Sequence, residues 1–120
     1  MGAQSIAQAL KKNTTLQYLS LSLNQIGEKG VRDIAEALLI NTSLLQLNLN
    51  DIQIENMGSK FLINMLLMNY SIRDIDTWFN NIGRDYNRQI NQLININKNP
   101  TDNSYIHKII RRRIYFNLIL

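Results

Sequence analysis

Asp74 and Asp76, two aspartates separated by one residue, form the clearest candidate in the sequence for a reactive or ligand-binding pair. On an extended strand both carboxylates point to the same face of a sheet. Two carboxylates on one face can act as acid and nucleophile in glycoside hydrolysis, or they can bind a cation. No oxygen-rich loop accompanies the pair, and a solvated polar face is the commoner origin of such a pattern. The sequence therefore predicts no catalysis, no metal site and no cofactor.

Few other residues could do chemistry. His107 is the only histidine and lies in the C-terminal tail, so a Ser/His/Asp arrangement is not expected. The chain has no cysteine, which excludes disulfides, thiolate nucleophiles and cysteine-ligated zinc. The lack of cysteine is compatible with a reducing compartment, and the first residues do not show the order of a secretory signal. We therefore expect a cytoplasmic protein that is not an enzyme.

Basic residues near the C-terminus form a second candidate site. Residues 1–97 carry eight Lys or Arg and eight Asp or Glu, whereas residues 98–120 carry five and one, so the net charge of +4 arises in the tail. The tail cations that adjoin Ile, Tyr and Phe residues are Lys108, Arg111, Arg112 and Arg113. Such a segment could bind nucleic-acid phosphates or an anionic membrane surface. One short cluster also suits a solvated helix face, so polyanion binding is the alternative function.

Three asparagines begin the Asn-x-Ser/Thr sequence of a glycosylation acceptor, namely Asn13, Asn41 and Asn69. They are spaced 28 residues apart. Each lies just past a predicted helix, where asparagine tolerates the left-handed conformation that ends many helices. Without a secretory signal, a structural role is favoured over glycosylation.

The step of 28 residues extends beyond these asparagines and defines the elements that position the candidate residues. Apolar residues recur at this step in the front half of a unit: Leu16, Leu44 and Ile72; Leu19, Leu47 and Ile75; Ile26, Ile54 and Ile82. They recur in the back half as well: Ile6, Ile34, Leu62 and Ile90; Leu10, Leu38, Leu66 and Ile94. A constant period of this length is typical of a protein built from stacked repeats.

Within each unit the apolar period changes from that of a strand to that of a helix. Residues 16–23 alternate, which predicts a short parallel strand with Leu16, Leu19 and Leu21 pointing inward. The residues that then recur at helical spacing are Val31, Ile34, Ala35 and Leu38. After Asn97 the pattern fails, because Pro100 would fall on an inward strand position. The last segment is predicted to be a helix over the open end of the array or, alternatively, a β edge.

The first unit occupies the marked positions of the pattern LxxLxLxxNxLxxxGxxxLxxxL with Leu16, Leu19, Leu21, Asn24, Ile26, Gly30, Ile34 and Leu38. In the second unit Ile52 replaces the asparagine, and in the third unit Tyr86 replaces the glycine. The chain thus resembles leucine-rich repeats of the ribonuclease-inhibitor type, such as those of NOD-like receptors and the Ran GTPase-activating protein. The resemblance implies a short α/β solenoid, a right-handed β-α superhelix with parallel strands on the concave face and helices on the convex face.

The repeat also predicts how the chain is divided. Residues 1–97 form the repeats, with a half unit at 2–15 and units at 16–43, 44–71 and 72–97. Residues 98–120 form a divergent basic C-terminal tail or cap.

Outward strand residues of successive units would stand side by side, about 5 Å apart, on the concave face. The residues predicted to bind a partner there are Tyr18, Gln46, Asn48, Asp74, Asp76, Trp78 and Phe79. Trp and Tyr are enriched at the energetic centres of protein interfaces. The alternative for Trp78 and Phe79 is that they cover the third unit or contact the tail.

The resemblance implies that the chain binds another protein, and this is the function the sequence predicts. Nucleic acid and membrane are less favoured partners. A third hypothesis is that the chain is a fragment of a longer array with no function of its own. The open ends of the solenoid could also self-associate.

Overall fold

Helices and strands alternate through most of the chain. The computed structural model describes residues 2–99 and 104–119, with side chains described for residues 2–99 and 108–115. The helices are α1 (Gly2–Lys12), α2 (Gly27–Leu38), α3 (Asn56–Met68), α4 (Arg84–Lys98) and α5 (Ser104–Ile119). The strands are β1 (Tyr18–Ser20), β2 (Gln46–Asn48) and β3 (Asp74–Asp76). This α/β order is the one that the change of period predicts; the predicted loop at Pro100 lies outside the described residues.

The three strands form one parallel sheet in the order β1-β2-β3. Leu19 pairs with Leu47, and Leu47 pairs with Ile75. The strand register therefore equals the 28-residue step of the sequence. Because side chains alternate between the two faces of a strand, this register places the inward residues of each unit over those of the next.

The hydrophobic core is most complete in the middle unit. Leu44 is 0% exposed and Leu47 is 2% exposed. Leu16 occupies the same repeat position as Leu44, which predicts an inward side chain, but it is 37% exposed. The physical reason is that β1 is the edge strand of the described sheet, so Leu16 has a neighbouring unit on one side only.

Buried asparagines join the end of each helix to the unit before it. Asn69 is 4% exposed, and its Nδ2 donates to the carbonyl oxygens of Leu38 (2.7 Å) and Asn41 (3.1 Å). Its Oδ1 accepts from the backbone N–H groups of Ser71 (2.8 Å) and Ile72 (3.0 Å). Asn41 makes the equivalent bonds one unit earlier. The left-handed conformation predicted for these asparagines is wrong, since neither has a positive φ; their amides bond across units instead.

The asparagine missing from the second unit is replaced by bonds from the third. Ile52 is 0% exposed and fills the core. Asn80 accepts, through Oδ1, from the backbone N–H groups of Ile52 (3.1 Å) and Ile54 (3.0 Å). Its Nδ2 donates to the carbonyl oxygen of Leu49 at 2.8 Å. The turn around Ile52 therefore needs no amide side chain of its own.

Helix α5 packs against α3 and α4, so the last segment is a helix and not a β edge. Ile114 is 3% exposed and forms part of the core. Arg111 donates from Nη1 to the carbonyl oxygens of Leu66 (3.0 Å) and Leu67 (3.3 Å), and from Nη2 to Oδ1 of Asn97 (2.9 Å). These bonds tie α5 to the last turns of the two helices beneath it.

Candidate protein-binding surface

The register of the sheet assembles the outward residues of the three strands into two columns. One column holds Tyr18, Gln46 and Asp74, and the other holds Ser20, Asn48 and Asp76. Tyr18 is 54% exposed, Gln46 and Ser20 are exposed, and the other three are half-buried. We call these six residues the sheet face. The structure thus brings together the sequence-predicted residues that lie on strands.

The third-unit end of the sheet face carries two carboxylates without a cation. Among the described residues, the ion pairs are Arg32 with Asp33 (3.9 Å) and Arg88 with Asp85 (3.2 Å), so neither Asp74 nor Asp76 is paired. No group of three His, Cys, Asp or Glu in the described part of the chain could hold a metal ion. The arrangement is therefore suited to a cationic group supplied from outside.

Beyond the strands, three residues at one repeat position form an exposed rim: Leu23, Asp51 and Phe79. All three have left-handed backbone, with φ of 62°, 53° and 60°. Leu23 is 80% exposed and Phe79 is 83% exposed. The backbone N–H of Leu23 donates to the carbonyl oxygen of Asn50 (3.1 Å), and that of Asp51 donates to the carbonyl oxygen of Trp78 (2.9 Å). Hydrogen bonds between units therefore hold the turns while the side chains remain in solvent.

Trp78 lies between the sheet face and the rim. Its side chain is 71% exposed, whereas its backbone N–H donates to Oδ1 of Asn50 at 2.7 Å. The alternative that Trp78 and Phe79 cover the third unit is thus excluded by their exposure. Asn50 occupies the repeat position of Trp78 one unit earlier, and the structure gives it a positioning role for Trp78.

A cleft of about 290 Å³ lies beside β3 and is lined by Asp74, Ile75, Asp76, Thr77, Trp78, Asn87 and Asn91. Sequence reasoning missed the two α4 residues, Asn87 and Asn91. The sequence contains a signal for Asn91, because the repeat step places it where the preceding units have Ala35 and Ile63. Thr77, which replaces an inward leucine, accompanies them, with Oγ1 of Thr77 and Oδ1 of Asn87 3.3 Å apart. A polar third unit thus borders the candidate surface.

The basic residues of the tail differ in their exposure to solvent. Lys108, Arg112 and Arg113 are exposed. Arg111 is half-buried, its guanidinium lies 4.4 Å from the ring centroid of Tyr70, and burial lowers its pKa while the nearby Tyr70 opposes that shift. Nη1 and Nη2 of Arg111 already donate to protein acceptors, so its geometry favours holding α5 in place over binding a polyanion. The side chain of His107 lies outside the described residues.

Two of the three glycosylation-like asparagines are inaccessible. Asn41 and Asn69 are each 4% exposed, and their Nδ2 atoms, which a glycan would modify, donate to backbone carbonyls. This geometry agrees with the structural role predicted for them.

A family of known repeats matches part of the chain in sequence. Residues 12–35 match a family model described as Leucine Rich repeat. These findings support a leucine-rich repeat protein. No curated protein matches the sequence.

Two solved structures have a fold similar to that of this chain. The tropomodulin C-terminal domain of Caenorhabditis elegans superposes with a TM-score of 0.71 at 14% identity, covering 81% of this chain and 59% of that one. The structure of leiomodin-1 actin-binding site 2 has a TM-score of 0.67 at 14% identity, covering 88% of this chain and 78% of that one. This chain thus spans less than two thirds of the tropomodulin chain that it matches. At this identity the similarity concerns the fold.

Among the described helices, none is long and apolar enough to cross a membrane.

Proposed function

We propose that this chain binds another protein through its sheet face and rim, and that its repeats form a solenoid of the ribonuclease-inhibitor type in which this face is concave. The observation that carries the proposal is that Asp74 and Asp76, which have no ion pair among the described residues, lie beside the exposed Trp78 and Phe79. A stacked array offers an extended surface of this kind and few enclosed pockets, which suits a protein ligand.

The conformation of the rim also supports a binding role. Left-handed backbone costs a residue with a Cβ about 1–2 kcal/mol, and Leu23 and Phe79 both adopt it. Their side chains are almost fully exposed, so core packing does not offset that cost. The hydrogen bonds between units account for the turn conformation itself, whereas the apolar character of the exposed side chains is left for a binding partner to explain.

Actin is the first partner to test, because one of the similar structures is an actin-binding site of leiomodin-1. Actin binding is a property of leiomodin-1, and at 14% identity it supplies a candidate for this chain and no more. A different protein bound at the same surface would satisfy the proposed function equally well.

A photo-crosslinking experiment tests the surface. Benzoylphenylalanine replaces Phe79 in one variant and Ile40 in the other, since Ile40 is also exposed, at 60%, but follows the helix α2. With purified actin we expect a crosslink from position 79 only, and we expect Trp78→Ala with Phe79→Ala to weaken binding at least about tenfold. The proposal would be contradicted if actin crosslinked only from position 40, or if the double substitution left the affinity for actin unchanged.

Polyanion binding by α5 is the second candidate function. The exposed Lys108, Arg112 and Arg113 support it, as does a groove of about 610 Å³ between α4 and α5 that includes Arg88 and Arg113. Binding to double-stranded DNA or to phosphatidylserine vesicles would then weaken steeply with added salt. Arg112→Glu with Arg113→Glu should abolish such binding, whereas Lys11→Glu, a reversal on α1, should leave most of it.

A further inference from the structure

The side chains of the rim are not explained by the turn they occupy. Asp51 has the same backbone conformation and the same repeat position as Leu23 and Phe79. Small polar residues such as Asp and Asn enter left-handed backbone with little steric cost. The turn therefore tolerates a polar side chain, and neither the turn nor the core requires leucine or phenylalanine here. A ligand that covers these side chains would account for both.

The acidic residues of the rim and the sheet face also lack a cationic partner among the described residues. None of the acidic residues at the rim and the sheet face, Asp51, Asp74 and Asp76, has an ion pair among the described residues. Asp51 lies between an apolar neighbour on each side, Leu23 and Phe79, because the three residues belong to successive units. The complementary ligand therefore carries a cation between two apolar groups.

The spacing of the rim restricts the backbone of that ligand. Adjacent strands lie about 4.8 Å apart, so Leu23 and Phe79 are separated by about 10 Å with Asp51 midway. Two turns of an α-helix, from residue i to i+7, span about 10.5 Å, with i+3 and i+4 midway. Side chains on one face of an extended peptide repeat at about 6.7 Å or 13 Å, which fits the rim less well.

We propose, resting on the protein-binding function above, that the rim binds an amphipathic helix of a partner protein. The helix presents apolar residues at i and i+7 and Arg or Lys at i+3 or i+4. Its apolar residues contact Leu23 and Phe79, and its cation faces Asp51, with Asp74 and Asp76 adding to the attraction. The exposed Trp78, adjacent to Phe79, lies beside the bound helix.

A displayed library tests this specificity on the intact chain. The library consists of alanine-rich helices in which positions i, i+3, i+4 and i+7 of one face are randomised. We expect selection to enrich Leu, Met or Phe at the outer positions and Arg or Lys at a central one. Trp78 is the only tryptophan, so its fluorescence reports the affinity of each selected peptide without a label.

Matched substitutions separate the two parts of the recognition. Asp51→Asn removes the charge, and Phe79→Asn removes the apolar group; both keep a residue that tolerates left-handed backbone. We expect each to weaken the selected peptide at least about tenfold. Leu39→Asn is the control, because Leu39 is 52% exposed but ends α2 on the helical layer, and it should leave the affinity unchanged.

The outcomes distinguish this inference from the proposed function. Enriched helices with neutral or acidic central residues that still depend on Phe79 would overturn the inference and leave the binding surface intact. Peptides insensitive to every rim substitution would contradict both. Enrichment of sequences resembling residues 108–115 would indicate that the rim binds a second copy of this chain, and would overturn the proposal of a separate partner protein. A library that yields no binders would overturn the helical ligand, while crosslinking from position 79 still decides the proposed function.

Discussion

Neighbouring arginines on α5 show how strongly surroundings decide the role of a residue. Arg111 donates to the carbonyl oxygen of Leu66, whereas the adjacent Arg112 is exposed. One and two units earlier, the carbonyls equivalent to that of Leu66 accept from the amides of Asn69 and Asn41. In the next unit Asn97 donates to the carbonyl oxygens of Asn69 and Ile72. Arg111 therefore makes the bond to Leu66 that the repeat pattern would assign to Asn97.

Arg111→Ala should lower the free energy of unfolding by about 1.5–3 kcal/mol, because it removes charge-assisted bonds to backbone carbonyls. Arg112→Ala, one residue away and exposed, should change it by no more than about 0.5 kcal/mol. Urea denaturation followed by circular dichroism measures both. Equal effects of the two substitutions would show that α5 is not held by Arg111.

The asparagine series gives a second prediction at this scale. Asn69→Ala leaves buried backbone groups without partners and should cost about 2–4 kcal/mol. Asn13 has the same repeat position but is exposed and its side-chain oxygen bonds only within its own turn, so Asn13→Ala should cost about 1 kcal/mol or less. Thermal melts of the two variants compare them directly, and a larger loss at Asn13 would contradict the buried role of Asn69.

At the scale of elements, position in the array decides how much a repeated residue contributes. Each of α2 and α3 packs on a helix before it and a helix after it, and β2 pairs on both edges. The first strand pairs on one edge only. Residues at the same repeat position therefore differ in burial from one unit to the next.

Leu44→Ala and Leu16→Ala test this dependence on position. Leu44 is 0% exposed, and its truncation should cost about 2–5 kcal/mol through lost burial and a cavity. Leu16 is 37% exposed, so Leu16→Ala should lower the free energy of unfolding by only about 1 kcal/mol. Guanidinium titrations give both values. If the two costs agreed, the middle unit would not be the more completely packed one.

At the scale of the whole molecule, the excess of positive charge and the carboxylates of the sheet face lie on different elements. Residues 1–97 are neutral in sum, and the net charge of +4 arises after residue 97, where four of the five cations lie on α5. The sheet face and rim carry carboxylates that have no ion pair among the described residues. Such a separation orients an approaching charged partner and raises its association rate. A basic partner is thereby attracted to the sheet face and repelled by α5.

Removing residues 104–120 tests whether α5 is a cap. The truncation uncovers the carbonyls of Leu66 and Leu67 and the apolar surface beneath Ile110 and Ile114. We expect the shortened chain to associate in sedimentation velocity at both low and high salt, because repeat arrays need covered ends. A truncated chain that stayed monomeric would show that α5 is dispensable for solubility and would favour its role in polyanion binding.

The repeat, the strand register and the columns of the sheet face could all be predicted from the order of residues along the chain. A period of 28 residues with alternating and then helical apolar positions permits only one stacking of units. The roles of four residues became apparent only in the folded chain: Arg111, Asn41, Asn69 and Leu16. Each role depends on contacts with another unit or with α5, or on the lack of a neighbouring unit. A local sequence pattern does not show which units have neighbours or which are covered by α5. The rim is an intermediate case: Leu23, Asp51 and Phe79 share one repeat position in the sequence, but only the folded backbone showed that all three are left-handed and exposed.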